Sequence, residues 1–307
     1  MKKWALYIGA TLLFFVFWML WVFPYDALKS RIITEIENRS QGRYKLDVAT
    51  MNIGIFGSVT FRDLKVSERI QGKEEPMMST PRLKIGFSPF DLLSNKTDFS
   101  FNVQGSKGDL KGNFRQDADE TQINLNFSDF PLTDLKFFTS KSGRGFRGAL
   151  QGTVDLKMNK SDASKNDGKI DLEFENLVME AGTLVLDPSS PDGTIDVPEM
   201  KLSGPKGSGI KADMKKEGLV FNSISFSGGD LTLDMDGKVV MVGANPRDYK
   251  VALQGGFKVV ETVAKAIPIL GFLESQKNSE GFYPLSLSGK LGNLTVKSGK
   301  FPIRAGS

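Results

Sequence analysis

Residues 99–114 read FSFNVQGSKGDLKGNF, and this stretch contains the two patterns that decide the fold. In its first part, single polar residues separate Phe99, Phe101 and Val103. Because successive side chains of a β-strand point to opposite faces, this alternation predicts a strand with one apolar face. In its second part, Gly112 follows two residues after Leu110 and therefore stands in the phase of the apolar residues.

The same alternation recurs along most of the chain beyond Gly42. One-sided strands of this kind are typical of antiparallel sheets that have one solvated face. The sequence therefore predicts a mainly β fold. The repeats after the first are Leu83, Ile85 and Phe87; Ile123, Leu125 and Phe127; Ile170, Leu172 and Phe174; Leu231, Leu233 and Met235; Val239 and Met241; and Tyr249, Val251 and Leu253.

A large apolar residue followed two positions later by glycine is a second repeat. A glycine in the apolar phase relieves crowding on the inner face, so a sheet can coil or kink at that point. We therefore expect a strongly curved antiparallel sheet, shaped as a groove or an open barrel. The glycines expected to curve it are Gly112, Gly152, Gly204, Gly237, Gly255 and Gly289.

The apolar face of such a sheet is the candidate binding surface. Alternation fits an open hydrophobic groove and a closed core equally well, so both interpretations stand. The residues expected to line the groove are Phe99, Phe101, Phe114, Phe127, Leu231, Leu233 and Met235.

The N-terminal segment predicts a membrane anchor. No residue from 4 to 23 is charged, and at about 1.5 Å per residue this length matches a hydrocarbon core of roughly 30 Å. Trp4, Trp18 and Trp21 lie near its ends, where indole rings favour the headgroup region, and the lysines of residues 1–3 place that tip in the cytoplasm. A cleaved signal peptide is the alternative, but its apolar region is typically only about 7–15 residues long.

Residues 24–41 predict an amphipathic helix next to the anchor. Pro24 can begin a helix, Leu28 and Ile36 recur at helical spacing, and Gly42 can end it. The helix would lie on the outer leaflet or cap one end of the β domain. The remaining chain, residues 42–307, is the expected β domain, either one unit or two lobes with a boundary near residues 160–169.

Two further segments predict short helices: residues 88–94, and residues 259–273 with an interruption at Pro268. The second segment is apolar enough to plug one end of a groove or to touch a membrane.

Composition removes several classes of chemistry. The chain has no cysteine and no histidine, which excludes thiol nucleophiles, imidazole bases, disulfides and zinc sites built on these residues. Carboxylate pairs such as Asp171 and Glu173 fall on the polar side of a strand, where solvation explains them. Forty basic and 36 acidic residues alternate along the chain without a basic stripe, which argues against nucleic-acid binding. We expect no catalytic residues, no metal site and no cofactor.

The whole layout resembles the type II secretion system protein N family, which is similar to AsmA-like periplasmic β proteins. The resemblance is carried by the anchor, by Phe23, Pro24, Tyr25 and Asp26 after it, and by the apolar-x-Gly strands. Within those strands, residues 145–156 and 285–302 contribute most.

This resemblance implies a single-pass protein of the bacterial inner membrane with most of the chain in the periplasm. It implies a non-enzymatic structural, assembly or binding role in the secretion apparatus, with other secretion-system proteins as partners. The alternative is an AsmA-like lipid-binding or lipid-transfer module that uses a hydrophobic β groove.

Overall fold

The computed structural model describes residues 25–54, 57–70, 73–87, 97–135, 145–185, 194–216, 218–242, 245–267, 269–299 and 301–303. Helix α1 (Tyr25–Arg39) falls within the predicted segment 24–41 and is followed by a left-handed turn at Gln41 and Gly42, whose φ values are 54° and 72°. Ile33 on this helix packs against an apolar cluster of the first strands. The helix therefore lies against one end of the β domain.

The first half of the β domain is a run of neighbouring antiparallel strands joined by turns. In chain order they are β1 (Tyr44–Gly54), β2 (Ser58–Ile70), β3 (Lys73–Phe87), β4 (Thr97–Gln104), β5 (Asp109–Gln116), β6 (Glu120–Pro131), β7 (Phe146–Asn159) and β8 (Asp167–Met179).

The second half of the β domain continues the same sheet after a separate hairpin and one short strand. Strands β9 (Gly182–Val185) and β10 (Thr194–Val197) form a separate hairpin, and β11 (Met200–Lys201) pairs with β8. The sheet then continues through β12 (Gly209–Lys215), β13 (Gly218–Phe226), β14 (Leu231–Val240), β15 (Lys250–Val259), β16 (Tyr283–Lys290), β17 (Asn293–Ser298) and β18 (Phe301–Ile303).

These strands confirm the mainly β prediction: the main sheet has 16 strands, and every pairing in it is antiparallel. β1 and β18 are its end strands and do not pair with each other in the described part of the chain. The expected strong curvature into an open barrel is not shown by this pairing. The strand glycines allow atoms of neighbouring strands to approach closely, and such local approaches do not by themselves close a sheet.

The sheet also continues across residues 160–169, where the sequence suggested a boundary between two lobes. Residues 160–166 connect β7 and β8, which are neighbours in one sheet, and include a 3-10 turn at Ala163–Lys165, while residues 167–169 already belong to β8.

The interrupted helix predicted at residues 259–273 is confirmed as two short helices, α2 (Glu261–Ala266) and α3 (Ile269–Leu273). A 3-10 turn, Glu274–Gln276, follows them. The helix predicted at residues 88–94 lies outside the described residues.

The predicted anchor at residues 4–23, with Trp4, Trp18 and Trp21, and the tip at residues 1–3 also lie outside the described residues. Of the helices that the structure describes, none combines the length and the apolar character needed to cross a bilayer.

Candidate functional site: an open apolar sheet face

A row of apolar residues crosses the sheet from β1 to β17. Directly paired residues of antiparallel strands point to the same face, so the row can be followed from partner to partner. With strands about 4.8 Å apart, it runs for roughly 65 Å along the sheet. This central row consists of Ile53, Val59, Ile85, Phe101, Gly112, Leu125, Val154, Ile170, Ala212, Phe221, Gly237, Leu253, Leu287 and Val296, and strand pairing continues from β17 to the end strand β18.

Two further apolar rows flank the central row on the same face. The first consists of Met51, Phe61, Leu83, Val103, Leu110, Phe127, Gly152, Leu172, Ile210, Ile224, Met235, Gly255 and Leu285. The second consists of Phe87, Phe99, Phe114, Ile123, Leu156, Gly168, Met214, Leu219, Val239, Val251, Gly289 and Leu294. We call the three rows together the apolar face.

The middle of the apolar face is open. Large side chains of the central row, such as Phe101, Leu125 and Leu253, are only half-buried, although neighbours in the sheet flank each of them. Among the described residues, the substantial contacts of each of these strands are with its neighbours in the sheet. A second layer of strands would bury such side chains completely, so this part of the face is not the interior of a sandwich.

One side of the face is closed. Phe130 has no exposed surface, and Leu132, Leu150 and Leu177 are buried in one cluster next to the half-buried Phe127. The 3-10 turn Leu132–Asp134 supplies part of this cover. The apolar face therefore passes from an open region into a packed wall within the length of a strand.

A left-handed residue marks this change in three strands. Asp63, Asp129 and Asn176 have φ values of 50°, 48° and 49°, a conformation that aspartate and asparagine tolerate better than most residues. In each strand the apolar residues three positions apart, before and after it, pack on the same face, and next to Asp129 and Asn176 the pairing register also shifts, as in a β-bulge. The motif reads FRDL at residues 61–64, FSDF at 127–130 and FENL at 174–177.

This four-residue motif is a sequence signal that a search for alternating apolar residues does not find. A search for phenylalanine followed three residues later by another large apolar residue, with aspartate or asparagine just before the latter, would have found it. The contacts show its effect, since Phe61 and Leu64 belong to one cluster and Phe174 packs with Leu177 in another.

Helices α2 and α3 close the same side of the face farther along the sheet. Val263 packs with Val197 and Met200, while Leu270 and Leu273 pack with Tyr283. Of the two interpretations of residues 259–273, these contacts agree with burial against the β domain.

Tyr283 holds the two cap helices to the sheet. Its ring, 1% exposed, stacks on Phe257 at 5.1 Å between centroids, and its hydroxyl donates to Glu274 over 2.8 Å. Hydrogen bonds from Lys277, then from Tyr283, hold the pKa of Glu274 below its ordinary value. Burial, followed by the Glu274 carboxylate, raises the pKa of Tyr283, and the hydrogen bond to Glu274 raises the pKa of Lys277.

Five of the seven predicted groove residues belong to the apolar face, and the other two, Leu231 and Leu233, continue it along β14; together they form two groups. Phe99, Phe101, Phe114 and Phe127 are on β4 to β6, and the Phe99 and Phe114 rings stack at 5.2 Å.

The other three are on β14 and extend towards the closed side. Met235 is buried there, and Leu231 packs against the cluster under α2. Leu233 is half-buried and pairs with Phe257. Strands β7, β8, β12 and β13 separate the two groups, and the aliphatic residues that connect them were not among the predicted site residues. Only the strand register identifies those residues.

Five of the six predicted glycines lie in strands on the apolar face: Gly112, Gly152, Gly237, Gly255 and Gly289. A Cβ on Gly112 would overlap the Phe101 ring, and one on Gly152 would overlap the Asp171 carbonyl oxygen. Gly204 is different, because it lies in the connection between β11 and β12, close to Gly228.

The opposite face of the sheet is polar and charged. Asp171 lies 4.0 Å from Lys211, and both side chains are exposed. Glu173 accepts a hydrogen bond from the Gly207 amide. In the part of the chain that the structure describes, no group of three or more acidic residues is arranged to hold a metal ion.

The arrangement therefore offers one broad apolar surface on a single face of the sheet. The chain was compared with protein-family models, curated proteins and solved structures, and none of them matched it.

Proposed function

We propose that this protein binds the acyl chains of lipids along the open part of its apolar face, as a non-enzymatic module tethered to a membrane by residues 4–23. The observation that carries the proposal is the central row, whose large side chains remain half-buried in a sheet over which the described residues form no second layer.

The energetic argument rests on the size of this surface. Monomeric soluble proteins rarely expose contiguous apolar patches larger than a few hundred Å². Each methylene group removed from water contributes about 0.8 kcal/mol, so an acyl chain lying along a few strands would gain enough to bind. A rigid polar ligand would gain little from the same side chains.

In this proposal the sheet curves around its ligand and forms a groove. Gly112 and Gly237 lie in the central row, where the absence of a side chain leaves a depression between the neighbouring apolar side chains. Their lack of a side chain would let the strands bend at those points.

The sharpest test uses neighbouring positions on one strand. Phe101 belongs to the central row, whereas Asn102 is on the polar face. A photoreactive phenylalanine analogue at position 101 replaces one aromatic ring by another, and the same analogue at position 102 is the matched control. The full-length protein would be crosslinked in membranes and examined by mass spectrometry.

We expect lipid adducts at position 101 and not at position 102. Equal yields at both positions would indicate random contact with detergent or membrane, and the absence of lipid at position 101 in a folded protein would refute the proposal.

A structural role in the type II secretion apparatus is the second candidate, and the open edge of β1 favours it. Tyr44–Gly54 pairs with β2 on one side, and no described strand pairs with its other side. An edge of this kind can accept a strand from a partner protein.

Removing the gene should then impair secretion, and substitutions of Asp171 or Glu173 on the solvated face should leave secretion largely intact. Normal secretion without the gene would count against this role.

The proposed topology places the N-terminus in the cytoplasm and the β domain in the periplasm. A reporter fused after Ser307 should be active in the periplasm, and the mature protein should begin at or next to Met1. Recovery of a soluble form trimmed near Phe23 would indicate a cleaved signal peptide.

A further inference from the structure

Three chain segments meet at one end of strands β14, β15 and β16: residues 240–242, 245–250 and 290–293. Val240 pairs with Lys250, which in turn pairs with Lys290. The Leu291 amide donates to the Tyr249 carbonyl over 2.8 Å, and the Gly292 amide donates to the Arg247 carbonyl over 2.9 Å. We call these three segments the β14–β16 tip.

The tip exposes large apolar side chains. Val242 and Leu291 are 42% and 47% exposed, the two highest fractions for large apolar side chains among the described residues. Single exposed residues of this type are common on protein surfaces. Here two of them lie within about two strand spacings of each other, on adjoining turns.

The tip also carries positive charge that the protein does not neutralise. Lys250 and Lys290 are directly opposite each other on adjacent strands, an arrangement that like charges destabilise. Asp248 is the one carboxylate in the three segments, and it binds Lys290 at 2.9 Å. Within the described residues, neither Arg247 nor Lys250 forms an ion pair.

Exposed aliphatic side chains beside unpaired cations are the chemistry that binds a membrane surface. Apolar side chains enter the boundary between headgroups and acyl chains, while lysine and arginine bind anionic headgroups. An apolar protein partner would not need the cations, and a soluble anion would not need Val242 and Leu291.

We propose that the β14–β16 tip docks on a bilayer containing anionic phospholipid, with Val242 and Leu291 inserted and with Arg247 and Lys250 bound to headgroup phosphates. β15 lies about 50 Å along the sheet from β1, where α1 packs. The tip is therefore a membrane contact separate from the predicted anchor, and it does not depend on lipid binding by the apolar face.

The chain contains no cysteine, so a single introduced cysteine can be labelled specifically. The full-length protein would carry a polarity-sensitive fluorophore at Val242→Cys or Leu291→Cys, and at Lys206→Cys as the control. Lys206 is exposed in the connection between β11 and β12, away from the tip. Each protein would be reconstituted into vesicles of phosphatidylcholine alone or of equimolar phosphatidylcholine and phosphatidylglycerol, with a lipid-borne quencher.

We expect quenching at positions 242 and 291 in the phosphatidylglycerol vesicles, at least several-fold above that at position 206. High salt, or the pair Arg247→Gln and Lys250→Gln, should reduce it towards the control value in proteins whose thermal melts are unchanged. Quenching no greater than that at position 206 would overturn the proposal. Equal quenching without phosphatidylglycerol would overturn the assignment of the cations to headgroups.

The same reconstitution keeps this inference distinct from the proposed function. Lipid crosslinking at Phe101 reports on the apolar face, whereas quenching at Val242 reports on the tip, so either can fail while the other succeeds.

Discussion

Asp63, Asp129 and Asn176 show how one residue changes the path of a strand. Each adopts a left-handed backbone inside a strand, and each brings two flanking apolar side chains to the same face. A left-handed conformation costs an L-amino acid about 1–2 kcal/mol, and least for aspartate, asparagine or glycine. The sequence therefore places residues that tolerate the strain at the points where the open face becomes a closed wall.

Position 63 tests this account, because the Asp63 side chain is exposed and replacing it removes no packing. Asp63→Val should lower the free energy of unfolding by about 1–2 kcal/mol, since a β-branched residue resists positive φ. Asp63→Gly is the matched control and should be neutral or stabilising. Urea unfolding of both variants would measure the difference, and equal stability would show that the left-handed backbone at position 63 costs valine nothing.

Gly152 makes a second residue-scale prediction. Its φ is 119°, and a Cβ would overlap the backbone carbonyl of Asp171 on the paired strand. Gly152→Ala should therefore destabilise the domain by about 1–3 kcal/mol. Gly271→Ala is the control: it lies in α3 with nothing near its added Cβ, so it should be neutral or stabilising by up to about 1 kcal/mol. Equal melting temperatures for Gly152→Ala and Gly271→Ala would contradict the predicted overlap between a Cβ at position 152 and the Asp171 carbonyl oxygen.

At the scale of elements, α2 and α3 show how a short apolar segment becomes a cap. Each helix is too short to be stable alone, so its stability comes from packing. Val263, Leu270 and Leu273 provide that packing, and Tyr283 provides a buried anchor on β16. Glu274, at the end of the caps, accepts hydrogen bonds from Tyr283 and Lys277 and links the cap to the sheet.

This link predicts a pH dependence. The folded pKa of Glu274 lies below its ordinary value of 4.5, so the ionised form stabilises the fold fully above that pH. The stabilisation is lost as the pH falls through the folded pKa. The advantage in melting temperature of wild type over Glu274→Gln should therefore be present near neutral pH and disappear in acid.

Melting temperatures measured from about pH 7 to about pH 3 would show the effect. Glu280→Gln removes an exposed carboxylate from the same connection and serves as the control. An advantage over Glu274→Gln that persists unchanged in acid would contradict the role of Glu274.

At the scale of the whole molecule, the sheet combines an open apolar face with a closed wall. Its strands follow one another from β1 to β8 and from β12 to β18, so most contacts are between neighbours in the chain. Because part of this face is packed and part is open, stability and the proposed lipid binding depend on different parts of the same surface.

Two phenylalanines separate these parts experimentally. Phe130→Ala, at a side chain with no exposed surface, should cost about 3–5 kcal/mol. Phe101→Ala should cost less, about 1–2 kcal/mol, because the ring is only half-buried in the open region. Urea unfolding would compare them, and lipid extracted from each folded variant would be quantified. An equal loss of unfolding free energy in the two variants would indicate that the apolar face around Phe101 is covered.

Several features of this protein follow from the sequence alone. Alternation at residues 83–87, 99–103 and 123–127 determines strands with one apolar face, since the side-chain period of a strand is two. Pro268 determines the break between α2 and α3 because proline cannot continue a helix, and Gly42 allows the left-handed end of α1. The absence of cysteine and histidine limits the available chemistry in any fold.

Only the tertiary structure decided how these strands combine. The alternation does not state which residue pairs with which, so the central row and the meeting of Lys250 with Lys290 depend on strand register. Alternation is also identical in an open face and in a buried core, and local periodicity carries no information about a second layer. The half-burial of Phe101 beside the complete burial of Phe130 decided that question, because burial depends on residues distant in the chain.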